Sequence, residues 1–382
     1  MVDLGDIVRG EGAQYLLTRV TTPAQRKAMR AIAGCRTEAM GSVPTTCDDC
    51  GVQYPLFRSC GNRSCPLCQS QARANWLAAR QEEILPVPYL QVVFNAPAEL
   101  KELAVYCPEE FYDALIRAAG QAIIDVGALK LQAQLGCLAQ LHTWGQKLPL
   151  HPHIHCVVPC GGFSEDGNRW VSFGPDDFPV NALSRRFRTL LCKAVRMAAR
   201  KGKLERLPET VSVDQILAVV AAREWSVYAK PPFGGPEQLL AYLSQYMYRV
   251  AITNDRIESY ENHQVTFRWR DHCGGNTIKT CTLEAMEFLR RFLLHVPPTG
   301  FVRMRSYGFL GNRNRKQNVE RARLLIGQIR TPCARVPFEP LRLCPQCYAA
   351  RRAGTSELAM RTGGASHLIP NLRPPPIRPV AA

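Results

Sequence analysis

The sequence predicts an α+β protein with a small cysteine-rich metal module ahead of its core. Three observations predict it. Runs rich in β-branched and aromatic residues at 89–94, 137–144 and 153–158 read as strands. Longer segments of helical character precede, separate and follow them. Two CxxC pairs, Cys47/Cys50 and Cys65/Cys68, lie close together near the N-terminus. The chain has 382 residues, more than one ordinary core accommodates, so two or three domains are expected. With 46% apolar and 21% charged residues it is globular, which excludes wholesale disorder and a collagen or coiled-coil fibre.

Taken in order, residues 1–34 form one or two helices, with basic residues in Thr22 to Arg30. The cysteine-rich segment 35–70 follows. A helix from Ser70 to Leu85 ends at Pro86 and Pro88, because proline lacks the N–H that would continue it. Tyr89 to Phe94 (YLQVVF) is a buried strand. Pro108 to Leu135 is helical, with Leu115, Ala118, Ala119, Ala122 and Ile123 apolar. Strands Cys137–Trp144 and His153–Val158 flank a turn at Gly145–Pro152. A helix near Val180–Lys203, a polar strand pair around Glu224–Ala229 and a turn at PPFGGP come next. A helix then runs from Pro236 to about Ile252. Val265–Arg270 and Gly275–Cys281 read as a hairpin, and Leu283–Leu294 as a further helix. The expected regions are thus a helical segment 1–34, a zinc-binding domain 35–70, a core 71–300, a basic region 301–360 and a Pro-rich disordered tail 361–382.

The charge is strongly positive: 48 Lys and Arg against 32 Asp and Glu give +16. Such a chain seeks a polyanion, nucleic acid first and an anionic membrane surface second. Arg303, Arg305, Arg313, Arg315, Lys316, Arg321, Arg323 and Arg330 face one acid, Glu320, within twenty-eight residues, a density suited to phosphate contacts. Arg268, Trp269 and Arg270 interleave cation and aromatic, as a strand over an unpaired base would. No uncharged apolar run approaches the ~18–20 residues that span a bilayer. The N-terminus carries two acids before its first base and no secretory apolar core, so a cytosolic location is expected.

Sixteen cysteines in a reducing compartment point to metal rather than disulfides. The two CxxC pairs stand fourteen residues apart, and together they can supply four thiolates to a tetrahedral zinc. Cys35 and Cys60 are left over, as ligands of a second zinc or as a replacement for a knuckle cysteine. Cys344 and Cys347 form a third CxxC, with Cys333 before it, but no partner knuckle is visible. Cys107, Cys137, Cys156, Cys160, Cys192, Cys273 and Cys281 read as packing residues.

Half of the eight histidines, His142, His151, His153 and His155, fall within fourteen residues. On a strand, His153 and His155 share one face, while Ile154, Cys156 and Val158 enter a core. Two imidazoles on one open face suit a divalent ion that keeps positions free for substrate. A hairpin would bring His142 beside them as a third ligand, with Gln146 as its competitor. His151, before Pro152, serves the turn.

The segment PEQLLAYLSQYMYRVAI starts with Pro236 at a helix N-terminus. Leu240, Leu243, Met247 and Val250 form an apolar stripe. Tyr242 and Tyr246, four apart, share another face that Arg249 joins one turn later. Packing explains any single such pair. Beside a metal, they become candidate nucleophiles, because a phenol with an ordinary pKa of ~10 needs help to attack.

HTWGQKLPLHPHIHCVVPCGG followed by AYLSQYMYRVAI resembles the IS-ninety-one type of rolling-circle transposase, in the two-tyrosine class of the HUH nuclease superfamily. CDDCGVQYPLFRSCGNRSCPLCQSQARANWLAAR resembles that family's N-terminal zinc-binding domain, and EFLRRFLLHVPPTGFVRMRSYGFLGNR its C-terminal part, so that the likeness spans Cys35 to Arg315. Ser64 stands where the family often has histidine. The resemblance implies an antiparallel HUH-nuclease sheet with flanking helices, its histidine strand central and its tyrosine helix across the metal side. It implies nicking and rejoining of single-stranded element ends through a 5′-phosphotyrosine, with Tyr242 and Tyr246 as nucleophiles. His153 and His155 then hold Mg²⁺ or Mn²⁺, while the third ligand stays with the hairpin reading, His142 or its competitor Gln146. Structural Zn²⁺ falls to Cys47, Cys50, Cys65 and Cys68, with Cys60 and Cys35 beside them. Arg249, Arg303, Arg305, Arg313, Arg315 and Lys316 are the expected DNA contacts. The partner is DNA on a bacterial nucleoid. No P-loop is present and no nucleotide cofactor is expected. The competing readings are a replication initiator or relaxase of the same superfamily, and a non-catalytic zinc DNA-binding protein.

Overall fold

The computed structural model describes residues 2–47, 50–68, 76, 80–230, 239, 242, 243, 250–271, 274–327 and 344. In chain order these form helices α1 (Leu4–Thr18) and α2 (Pro23–Gly34), strands β1 (Ser42–Thr46), β2 (Gln53–Phe57) and β3 (Tyr89–Asn95), and helices α3 (Lys101–Tyr106) and α4 (Pro108–Leu131). Strands β4 (Gly136–Trp144), β5 (Leu150–Pro159), β6 (Gly161–Phe163) and β7 (Trp170–Ser172) follow, then α5 (Val180–Arg200), α6 (Val213–Ala221) and β8 (Val227–Lys230). The remainder is β9 (Ile257–Glu261), β10 (Gln264–Asp271), β11 (Thr277–Glu284), α7 (Ala285–Leu293), β12 (Met304–Gly308) and α8 (Arg315–Ile326). The fold is α+β, as expected.

Two compact units emerge. One gathers the described residues within 1–76, 248–296 and 335–382, the other those within 77–247 and 297–334. The hairpin and helix at 257–293, expected inside a core at 71–300, therefore belong with the N-terminal helices. Specific bonds explain this. Buried Glu11 on α1 accepts from the Tyr260 hydroxyl at 2.7 Å and pairs with His263 Nδ1 at 2.6 Å. Gln25 on α2 donates to the Leu293 carbonyl at 3.0 Å. Both N-terminal helices begin at reciprocal capping boxes, Asp3 with Asp6 and Thr22 with Gln25, which satisfy otherwise orphaned N–H groups.

The second unit is built on a five-stranded sheet in the order β12-β4-β5-β3-β8, with every neighbouring pair antiparallel. The strand carrying His153 and His155 is central. The pleat sends alternate side chains to opposite faces. Leu90, Val92, Phe94, Ala139, Leu141, Ile154, Cys156 and Val158 fill one face and are buried. Leu115, Ile116, Ala119 and Ile123 of α4, with Leu183, Phe187 and Leu191 of α5, complete this core. Phe94 meets Phe187 edge-on at 4.9 Å. Each of the larger aliphatic and aromatic side chains contributes about 1.5–3 kcal/mol by leaving water, so this face holds the sheet.

Several elements differ from expectation. The Arg-dense stretch 303–330 has no strand pattern, yet 304–308 forms edge strand β12 against β4. Only Arg305 and Tyr307 of this short strand face the helices, which is too little alternation to recognise. Helix α6 is not among the expected elements; the Ser212 side chain starts it by accepting from Gln215 N. The strand pair expected near 224–229 is one edge strand, β8, because its partner is β3. The expected helix at 70–85 falls largely outside the described residues, as does the tail from 361. Of the helix expected at 236–252, Leu239, Tyr242 and Leu243 are described and helical, whereas Val250, Ala251 and Ile252 are described and not helical, so the helix does not reach its expected end. Among the described residues, no helix is long and apolar enough to cross a membrane.

Candidate active site and metal centres

The sheet face opposite the core is polar where the three central strands meet. Antiparallel pairing sets His142 on β4 directly across from His153 on β5, and Gln140 across from His155. Partners in such a ladder project to the same face, so pleat and register together gather His142, His153 and His155. One nitrogen from each ring lies within 4.8 Å of the others. Ring centroids are 4.6 Å apart for His142 and His155, 4.9 Å for His153 and His155, and 5.5 Å for His142 and His153. No carboxylate joins them among the described residues.

The expected open face is in fact largely covered. His142 and His155 are buried and His153 is half-buried. The Trp144 ring stacks on His142 at 4.8 Å, and Gln91 on β3 reaches His155. Burial pushes the His153 imidazole down to about 4, so it stands neutral with a lone pair for a metal. His153 Nδ1 donates to the His151 carbonyl at 2.7 Å, which leaves Nε2 as the free donor atom. The Gln91 amide nitrogen lies 2.7 Å from His155 Nδ1. The way this amide is turned decides which His155 nitrogen carries the proton. Gln91 went unrecognised in the sequence. Its signal is a single polar residue inside the apolar strand YLQVVF.

Three imidazole nitrogens can hold a divalent ion, and Mn²⁺ accepts nitrogen donors more readily than Mg²⁺, which prefers oxygen donors and retained waters. The Tyr242 hydroxyl stands 3.5 Å from His155 Nδ1, while Leu239 and Leu243 on the same turn are buried. Tyr246 and Arg249 lie outside the described residues, as do Leu240 and Met247 of the expected stripe.

The thiols sort differently from their spacing. The two knuckles do not share a cage. Cys35, Cys60, Cys65 and Cys68 converge, with sulfurs of Cys35 and Cys60 at 3.4 and 3.6 Å from that of Cys68. Cys35 arrives from the end of α2, which sequence spacing alone does not reveal. Hydrogen bonding to Cys35 pushes the Cys65 thiol up and the Cys68 thiol down. Four thiols this close ionise together only around a cation. Asn62 N points at the Cys60 sulfur at 3.5 Å, and Ser64 N donates to Asn62 Oδ1, so Ser64 shapes the turn. Cys47 and Cys50 instead meet Cys344.

The basic residues divide. Arg305 projects to the helix side of the sheet, pairing with Asp113 at 2.6 Å. Arg315 is held by the Leu310 carbonyl, Ser306 Oγ and Glu83. Arg321 and Arg323 donate to backbone carbonyls of Gly167, Glu82 and Ile84. Arg303 is half-buried, and Arg313 and Lys316 are exposed.

Two family models match: one described as "Transposase zinc-binding domain" over residues 7–96, and one described as "Putative transposase" over residues 136–318. The chain is 42% identical to "Putative transposase y4qJ" of Sinorhizobium fredii (strain NBRC 101917 / NGR234), covering 91% of this chain and 93% of the relative. It is 26% identical to the "Transposase for insertion sequence element IS801" of Pseudomonas savastanoi pv. phaseolicola, covering 73% and 68% respectively. No solved structure matches.

Proposed function

The chain belongs to the IS-ninety-one type of transposase, and from that membership we propose that it cuts and rejoins single-stranded DNA through a covalent bond between tyrosine and a 5′-phosphate. The observation that carries this reading is the Tyr242 hydroxyl at 3.5 Å from His155, at the rim of the three-histidine cluster.

The phenol oxygen of Tyr242 attacks phosphorus. The bond from phosphorus to the 3′-oxygen breaks, and a proton passes in net terms from the phenol to the departing 3′-oxygen. One phosphodiester replaces another, so rejoining by an incoming 3′-hydroxyl needs no nucleotide hydrolysis. A phenol of pKa ~10 is only about 0.1% ionised at neutral pH, so the site must stabilise charge on the reacting oxygens. His142, His153 and His155 would hold a divalent cation, Mn²⁺ in preference to Mg²⁺, which supplies Lewis-acid polarisation of the scissile phosphate. His151 and Gln91 orient two of those rings. Tyr246, four residues on, is the second nucleophile of this reading. The four-thiolate cage at Cys35, Cys60, Cys65 and Cys68 is the structural zinc site of the N-terminal module.

Among the described residues of the basic region, Arg313 and Lys316 are the ones we assign first to DNA, with Arg303 and Arg249 beside them in the proposal. Arg305 and Arg315 serve the fold first. Incubating the full chain with single-stranded oligonucleotides from the element's own ends and Mn²⁺ tests the reading. A denaturation-resistant protein–DNA adduct is expected. Its absence, with DNA binding intact, would overturn the tyrosine mechanism.

A further inference from the structure

We infer a second zinc centre in which Cys344, far along the chain, joins the first CxxC knuckle, Cys47 and Cys50. It rests on the zinc-binding assignment of the N-terminal module and is independent of the nuclease chemistry. The zinc-domain match spans residues 7–96, so it includes the knuckle but ends well short of Cys344.

The local geometry is that of a metal knuckle. Strand β1 ends at Thr46, and Cys47 N donates to the Val52 carbonyl at 2.9 Å. Gly51 N turns back to the Cys47 carbonyl at 2.9 Å, with a left-handed φ of 71° that glycine adopts without strain. This turn directs both thiols to one side. Cys344 lies 294 residues beyond Cys50, yet their sulfurs are 3.3 Å apart. All three sulfurs lie within 4.8 Å of one another.

Packing alone does not account for this convergence. Cys344 and Cys47 are buried against Tyr54 and Leu56, but Cys50 is exposed and still turns its sulfur inward. A disulfide also fits poorly, since it joins two sulfurs at about 2.05 Å and leaves the third unexplained. Tetrahedral zinc at 2.3 Å from each sulfur sets sulfurs about 3.8 Å apart, which is the scale seen here. The cage at Cys35, Cys60, Cys65 and Cys68 provides an internal standard, with contacts of 3.4 and 3.6 Å. In the sequence Cys344 opens a CxxC of its own with Cys347, which lies outside the described residues. A structural ion at these thiols would staple two distant parts of the chain, and its binding energy would add directly to folding.

The test uses the intact wild-type protein. Cys50 is exposed, so as a free thiol it would react readily with an alkylating reagent. With zinc bound it is expected to be protected at least tenfold, and chelation should release that protection. Alkylation of Cys50 at the rate of a free thiol in the zinc-loaded protein would overturn the proposal, as would a Cys50–Cys344 disulfide in a non-reduced peptide map. In parallel, Cys344→Ser should carry one zinc fewer per chain than wild type, and Cys35→Ser should lose the other. An unchanged zinc content in a folded Cys344→Ser would also overturn it.

Discussion

The hydroxyl of Tyr242 stands 3.5 Å from Nδ1 of His155, so a candidate nucleophile and a candidate metal ligand share one neighbourhood although 87 residues separate them. Gln91 occupies the same nitrogen at 2.7 Å. The phenol therefore approaches an imidazole that Gln91 already contacts from the neighbouring strand.

Tyr242→Phe keeps the ring and removes the attacking oxygen. The adduct should fall by about a thousandfold or more, whereas affinity for single-stranded DNA should change by less than about twofold. Tyr242→Phe combined with Tyr246→Phe should abolish the adduct altogether. Electrophoresis under denaturing conditions reads the adduct and fluorescence anisotropy reads binding. An undiminished adduct in the double variant would mean that the nucleophile lies elsewhere.

Gln91→Leu should raise the Mn²⁺ concentration needed for half-maximal cleavage by about 10–100-fold, because a ligand that loses its orienting partner binds its ion less well. Activity at saturating Mn²⁺ should recover much of the loss. A metal titration of cleavage decides this, and an unchanged midpoint would remove Gln91 from the site.

His153→Ala should eliminate metal-dependent cleavage. In the wild type, Mn²⁺ should support faster cleavage than Mg²⁺ at equal concentration, since the donor set contains imidazoles and no described carboxylate. Equal rates with the two ions would imply oxygen ligands beyond these three rings.

Ile154 sits between the two histidines of β5 and points the opposite way, fully buried. Ile154→Ala should destabilise the second unit by about 2–5 kcal/mol, as loss of a core aliphatic group usually does. His153→Ala, on the other face, should cost well under that. Urea unfolding compares them, and equal losses would contradict the two-faced reading of the strand.

Much of this was legible in the residues, and the reasons are local. The strand at 153–158 announces itself because imidazoles alternate with Ile154, Cys156 and Val158, a period that only a pleat produces, although β5 begins earlier, at Leu150, inside the segment that reads as a turn. Pairing of His142 with His153 follows once the segment Gly145–Pro152 is recognised as the connection of a hairpin. Gln91 was harder to see, because its role depends on which strand lies beside β5, and that is set by packing across distant segments. The thiol cages show the same limit. CxxC spacing identifies knuckles, but Cys35 and Cys344 reach them through helix placement and long-range closure that spacing does not encode. Charge density alone marks Arg305 and Arg315 as expected DNA contacts and does not reveal that the fold also pairs them with Asp113 and Glu83.

The most direct measurement is tandem mass spectrometry of the adduct formed on an end-sequence oligonucleotide with Mn²⁺. The account expects a nucleotide 5′-phosphate linked to the phenol oxygen of Tyr242. Cleaved DNA with no protein attached, or linkage confined to a residue other than Tyr242, would contradict it.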